Sequence, residues 1–69
     1  MKTNKIANIA VGQILYTRAQ SAMLLSLSLG TLDKLISTGQ LVASRIGSKV
    51  VIHRDDVAAY ADGLRKQVA

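Results

Sequence analysis

The side chains in this sequence that can do chemistry are few, and most of them are cations. Of 69 residues, nine are Lys or Arg and four are acidic, with one His and no Cys. Catalysis and metal binding need groups in combination, such as a base beside a nucleophile or three to four ligands at set spacing. His53 alone and four Asp without paired spacing cannot assemble these, so no enzyme, metal site or cofactor is expected. His53 is read as a surface or packing residue. What remains is charge recognition. A formal net charge of +5 on so short a chain favours anionic partners, nucleic acid first and an acidic membrane surface second. Arg18, Lys34, Arg45, Lys49 and Arg54 are the cations that would meet phosphate.

The elements that must position these cations centre on residues 17–39, TRAQSAMLLSLSLGTLDKLISTG. Thr17 with Gln20 three residues later is a capping box, in which each side chain satisfies a free backbone N–H of a first helical turn. The helix it opens runs to about Leu25, with Ala22 and Leu25, flanked by Ser21 and Leu24, as its inward face. Arg18 lies in that first turn, where a cation opposes the helix dipole, which suggests an anion nearby. Phosphate is one candidate, and simple solvation is the other reading. Ser26-Leu27-Ser28 is a turn, with Leu27 as its apolar plug and Ser28 as cap of a second helix. That helix spans about Leu29 to Thr38 and buries Leu32, Leu35 and Ile36. Gly39 ends it in the left-handed conformation that glycine adopts freely, and Leu41 packs back on the pair.

The opposite face of the second helix shows Leu29, Gly30, Asp33, Lys34 and Ser37. Gly30 would let the backbone approach a ligand closely, at about 1 kcal/mol of helix propensity. Thr31 is placed for a phosphate or a base edge. Asp33 is repelled by phosphate but can accept from a cytosine amino group.

Residues 42–53, VASRIGSKVVIH, read as two strands around Gly47-Ser48. A two-residue loop would pair Ile46 with Lys49. A loop of Gly47, Ser48 and Lys49 would pair Ile46 with Val50, and this is preferred because it aligns Ile46, Val50 and Ile52 on one face. Arg45 and Lys49 then flank the tip, beside Ser48. A third helix starts at Arg54-Asp55-Asp56 with an inner stripe of Val57, Tyr60, Ala61 and Leu64. Gly63 ends it, or it continues through residues 64–67.

The chain is long enough for one domain with a small, largely aliphatic core. The expected organisation is a flexible N-terminal arm over residues 1–13, a domain over 14–64 and a basic tail over 65–69. The arm has three readings: a free terminus, a segment packing on the domain or on a second copy, or a basic arm reaching a groove through Lys2 and Lys5. No stretch approaches the roughly 18 apolar residues of a membrane span, and the N-terminus makes a poor signal peptide, so a cytoplasmic protein is expected.

From Leu15 to Tyr60 the sequence resembles the excisionase-type winged helix-turn-helix family, which is related to the MerR-type DNA-binding domains. The residues that carry the resemblance are the opening LYT, the AxxLLxLS of helix and turn, TLxKLIxTGQL, the RIGSKVVI wing and the closing RDDVAAY. The resemblance implies a mostly α fold with a small β-hairpin: helix, helix, two-stranded wing, helix. It implies double-stranded DNA as the partner, with the second helix in the major groove and the wing on the backbone or minor groove. The implied roles are excisionase, acting beside an integrase or recombinase, or transcription regulator of a phage or mobile element, self-associating on DNA and nucleoid-associated. The implied contact residues are Arg18, Ser28, Leu29, Gly30, Thr31, Asp33, Lys34, Arg45, Ser48, Lys49 and Arg54. Where the family offers Arg or other polar residues on the second helix, this chain has Leu29, Gly30, Asp33 and Ser37. Most of the attraction to DNA is therefore expected from the wing and the basic flanks. The alternative is a winged-helix module that binds protein, through Leu29, Met23 and the segment from Ile6 to Val11.

Overall fold

The computed structural model describes residues 9–67. The expectations placed on Lys2, Lys5, Ile6 and the final two residues lie outside these. In chain order the elements are β1 (Leu15–Thr17), α1 (Arg18–Leu25), α2 (Leu29–Ser37), β2 (Ser44–Ile46), β3 (Lys49–His53) and α3 (Arg54–Gln67). The fold is mostly helical with a small antiparallel sheet, a winged helix-turn-helix. The sheet has three strands in the order β1-β3-β2, so the two-stranded wing expected from sequence is joined by a third strand. No helix among the described residues is long and apolar enough to cross a membrane.

The helix boundaries follow from their caps. Thr17 Oγ1 accepts from the Gln20 N–H at 3.1 Å, and Gln20 Oε1 accepts from the Thr17 N–H at 3.0 Å. Two free donors of the first turn are thereby satisfied at once. α1 closes at Ser26, which sits in the left-handed region at φ 60°, with its N–H directed at Ala22 O and Met23 O. A non-glycine there costs on the order of 1 kcal/mol. In return the chain reverses sharply and Leu27 turns in against the core. Ser28 Oγ accepts from the Thr31 N–H at 3.1 Å and starts α2. Gly39, at φ 81°, ends the reversal after α2, where Gln40 and Leu41 donate back to Leu35 O at 2.9 and 3.1 Å.

The core is built from all three helices and β3. Ala22, Leu32, Leu35, Leu41, Ile52 and Val57 are buried, and Tyr16, Leu25, Leu27, Ile36, Ala43, Val50 and Tyr60 pack around them. Leu24 and Leu64, expected to face inward, are 46% and 43% exposed, and Ala61 is exposed too. The reason is length. At about 1.5 Å per residue α3 runs well past so small a core, and only its first half, Val57 and Tyr60, reaches it. α3 continues through Gly63 to Gln67. His53 caps it: its Nδ1 accepts from the Asp55 N–H at 3.0 Å.

The wing register corrects the sequence expectation. Ile46 pairs with Lys49, Arg45 with Val50 and Ser44 with Val51, so the loop is Gly47-Ser48 alone. Gly47 has φ 62° and Ser48 does not have a positive φ. Glycine first in a two-residue loop is the pattern whose twist matches the two strands, and this decides the register. The apolar alignment that favoured the longer loop is supplied instead by β1: Tyr16 pairs with Ile52 and packs on the core beside it. Ile46 is left 58% exposed.

The segment read as an arm ends in a turn fastened to the domain. Gln13 Nε2 donates to Leu15 O and to Gln20 Oε1, each at 2.7 Å. The Arg54 guanidinium donates to Gly12 O at 3.3 Å, and the Arg54 N–H to Ile14 O at 2.8 Å.

Candidate nucleic-acid interface

α2 has two unlike sides. Leu32 and Leu35 face the core at 0% and 9% exposure. Leu29, Gly30, Thr31, Asp33, Lys34 and Ser37 are all exposed. Three of the hydroxyls at or on this surface already serve the helix. Ser28 Oγ caps it and donates to Thr31 Oγ1 at 3.0 Å, and Ser37 Oγ donates to Lys34 O at 3.0 Å. The Lys34 ammonium is committed to no partner of this kind. At Gly30 an added Cβ would meet nothing within 4 Å, so neither packing nor a positive φ requires glycine there.

Arg18 finds its anion within the chain. Its Nε donates to Asp33 Oδ1 at 2.8 Å and its Nη2 to Asp33 Oδ2 at 2.5 Å, a two-bond clamp between the first turn of α1 and the middle of α2. The hydrogen bond from Arg18 holds the Asp33 carboxyl below the usual carboxylate range, and the same bond raises the Arg18 guanidinium. Both side chains remain substantially exposed, at 40% and 49%. No local sequence signal announces this pair. Its members are joined only by the packing of α1 on α2.

The wing tip carries Arg45, Ser48 and Lys49, all exposed. Cross-strand partners share a face and neighbours along a strand alternate. In the observed register Arg45 lies with Val50 and Lys49 lies with Ile46, so the two cations project from opposite faces of the hairpin. The longer loop expected from sequence would not have made this arrangement. Arg54 does not join them. It stands at the other end of β3, roughly 15 Å along the strand, with its guanidinium on the Gly12 carbonyl.

Among the described residues the ion pairs of permanently charged groups are Arg18 with Asp33 and Arg65 with Asp62; the Arg54 guanidinium donates to the Gly12 carbonyl, and Lys34, Arg45 and Lys49 have neither kind of partner. α3 balances Asp55, Asp56 and Asp62 against Arg54, Arg65 and Lys66 and is neutral overall. Among the described residues the uncompensated positive charge therefore lies on α2 and the wing. Such a surface attracts a polyanion, while the shallow hollow lined by Gln40, Ala59, Tyr60, Gly63 and Leu64 is flanked by the neutral helix.

Comparison with known proteins adds the following. A family model described as a helix-turn-helix domain matches residues 15–65. An uncharacterized protein of Mycobacterium bovis and two of Mycobacterium tuberculosis are each 36% identical over 67 residues, covering 97% of this chain. The chain spans 59% of the length of these curated relatives. No solved structure gives a significant match.

Proposed function

Because the chain belongs to the helix-turn-helix domain family, a DNA-binding family that includes excisionase-like members, we propose that it binds double-stranded DNA as an excisionase or transcription regulator of a mobile element. In this reading α2 enters the major groove by its exposed face and the wing tip lies along the adjacent backbone or minor groove. The observation that carries it is the placement of Lys34, Arg45 and Lys49, unpaired and exposed, on the two elements that such a fold presents to DNA. Arg45 and Lys49 on opposite faces of one hairpin suit a groove, because both of its walls are lined with phosphate.

The roles divide accordingly. Lys34, Arg45 and Lys49 contact phosphates, with Arg18 and Arg54 as flanking cations whose guanidiniums are already anchored. Ser28, Leu29, Gly30, Thr31 and Ser48 set the distance of approach, with DNA shape contributing to preference. An integrase or recombinase is the protein partner in the excision role. Several copies act along one DNA site, since a single small domain buries too little surface for tight binding. The protein works in the cytoplasm, associated with the nucleoid. A protein-binding winged helix is the alternative, favoured by Met23 and Leu29, which are 42% and 43% exposed.

A gel-shift titration with competitor DNA, followed by footprinting on the DNA flanking its own gene, tests the reading. Binding that weakens steeply as salt rises is expected. A folded sample that shifts no duplex at moderate salt would reject DNA binding in favour of a protein partner.

A further inference from the structure

We propose that the Arg18–Asp33 pair is a base-discriminating unit, in which Asp33, its charge balanced by Arg18, accepts a hydrogen bond from the 4-amino group of a cytosine in the major groove. The proposal rests on the DNA-binding reading above. Asp33 is the one acid of this chain outside α3, and it stands on the exposed face of α2 one turn beyond Gly30. A bare carboxylate on that face would be repelled by the phosphates on either side of the groove. The bidentate bonds from Arg18 remove that repulsion without hiding the group: Asp33 keeps 49% of its side chain exposed. A carboxylate has about four lone-pair sites, and the clamp occupies two. What α2 offers the groove at this position is therefore an acceptor without net charge.

The nature of the acceptor selects its partner. Major-groove donors are the amino groups of cytosine and adenine. Adenine sets its N7 acceptor beside the amino group, where it would face the remaining lone pairs of an acceptor-only carboxylate. Cytosine carries a C–H on that side of its amino group, and the O6 acceptor of its paired guanine lies only on the other. Arg18 is a positioning residue in this scheme. Without it the Asp33 charge is unbalanced and the side chain free to rotate, and the acceptor is neither aimed nor tolerated.

Selection of bound duplexes from a randomised pool tests this, with thermal melting to verify that each variant is folded. Wild type is expected to enrich cytosine at one position of the site. Asp33→Asn presents a donor as well as an acceptor, and should move that one position toward adenine by about tenfold. Arg18→Ala should blur the same position, and Arg18→Lys, which restores the charge, should recover part of the preference. A duplex whose selected cytosine lacks its 4-amino group should bind wild type about tenfold more weakly, and this arm leaves the protein untouched. Unchanged preference in Asp33→Asn, or equal binding of the amino-less duplex, would show that the pair only fastens α1 to α2. Wild type that binds duplexes without base preference overturns the proposal alone. Wild type that binds no duplex overturns the DNA-binding reading as well.

Discussion

The helix pair and the wing share one core but are built on opposite terms. α1 and α2 are closed at every end by a local device, the Thr17–Gln20 box, the left-handed Ser26, the Ser28 cap and Gly39. They bury Ala22, Leu32 and Leu35, and one of their two cations is paired with their one acid. In the wing, every residue of β2 is exposed, and its Arg45 and Lys49 have no acid to offset them. The helices are capped and carry a single unbalanced charge, while β2 is exposed throughout and the wing carries two. In the proposed DNA-binding reading the difference becomes a division of labour: the helix pair would supply a shaped surface and the wing much of the long-range attraction.

The largest test of that contrast removes what the two regions share. Leu32 and Ile52 are both fully buried, one on α2 and one on β3. Leu32→Ala or Ile52→Ala should lose about 2–5 kcal/mol, a large part of the total stability of a small domain. Circular-dichroism melting should show helices and wing lost in one transition. Two separate transitions would mean that the regions are independent units and the contrast only one of adjacency.

Next comes the charge. Arg45→Ala with Lys49→Ala should lower DNA affinity by roughly tenfold to a hundredfold at moderate salt and reduce the slope of log affinity against log salt by about 2. The melting temperature should barely move, since both residues are exposed. If Lys34→Ala alone does as much, attraction resides in α2 and the division fails.

The caps have a smaller, purely structural effect. Ser28→Ala should destabilise by about 1 kcal/mol, read as a shift in the denaturant midpoint. Gly30→Ala sharpens the same comparison because its two effects have opposite signs. Nothing lies within 4 Å of the new Cβ, so the helix should gain about 0.5–1 kcal/mol, while DNA binding should weaken if α2 approaches closely there. A variant that gains stability and binds DNA no worse would show that this turn stays clear of the groove.

The last test is of pH. The folded Asp33 carboxyl is held low by its bond from Arg18, so its contribution is in place above the unfolded value of about 3.9 and is lost as pH falls through the folded value. Stability of wild type should therefore decline more steeply below about pH 4 than that of Asp33→Asn. Parallel acid profiles for the two proteins would remove the pair from any account of how the helices are held.

What could be read in the sequence follows the same line. Thr17, Gln20, Ser28 and Gly39 announce their roles because a cap acts within one turn of the chain, and a single stretch of sequence contains the whole interaction. The wing register did not announce itself. Apolar alignment favoured the longer loop, but Gly47 fixed a two-residue turn, and Tyr16 from a distant strand supplied the apolar face. β1 was missed as a strand for a related reason: three residues carry no period, and only pairing with β3 makes them one. The Arg18–Asp33 clamp is similarly non-local. An anion was expected beside Arg18, but its source on α2 depends on how two helices pack. Leu24, Ala61 and Leu64 were over-assigned to the core because helical spacing indicates a face without indicating where the core runs out.

Thr17 is at once the last residue of β1, opposite Val51, and the cap of α1. The β2–β3 hairpin and the α1–α2 pair each join neighbours in sequence, which closes quickly. The rung between Thr17 and Val51 closes a stretch of more than half of the described residues, and the entropy of that closure is repaid only when the core has formed. Folding should thus finish where the first helix begins. Mutations along that rung should then speed unfolding while leaving the folding rate almost unchanged, making Thr17 the fastener that sets the lifetime of the assembled domain.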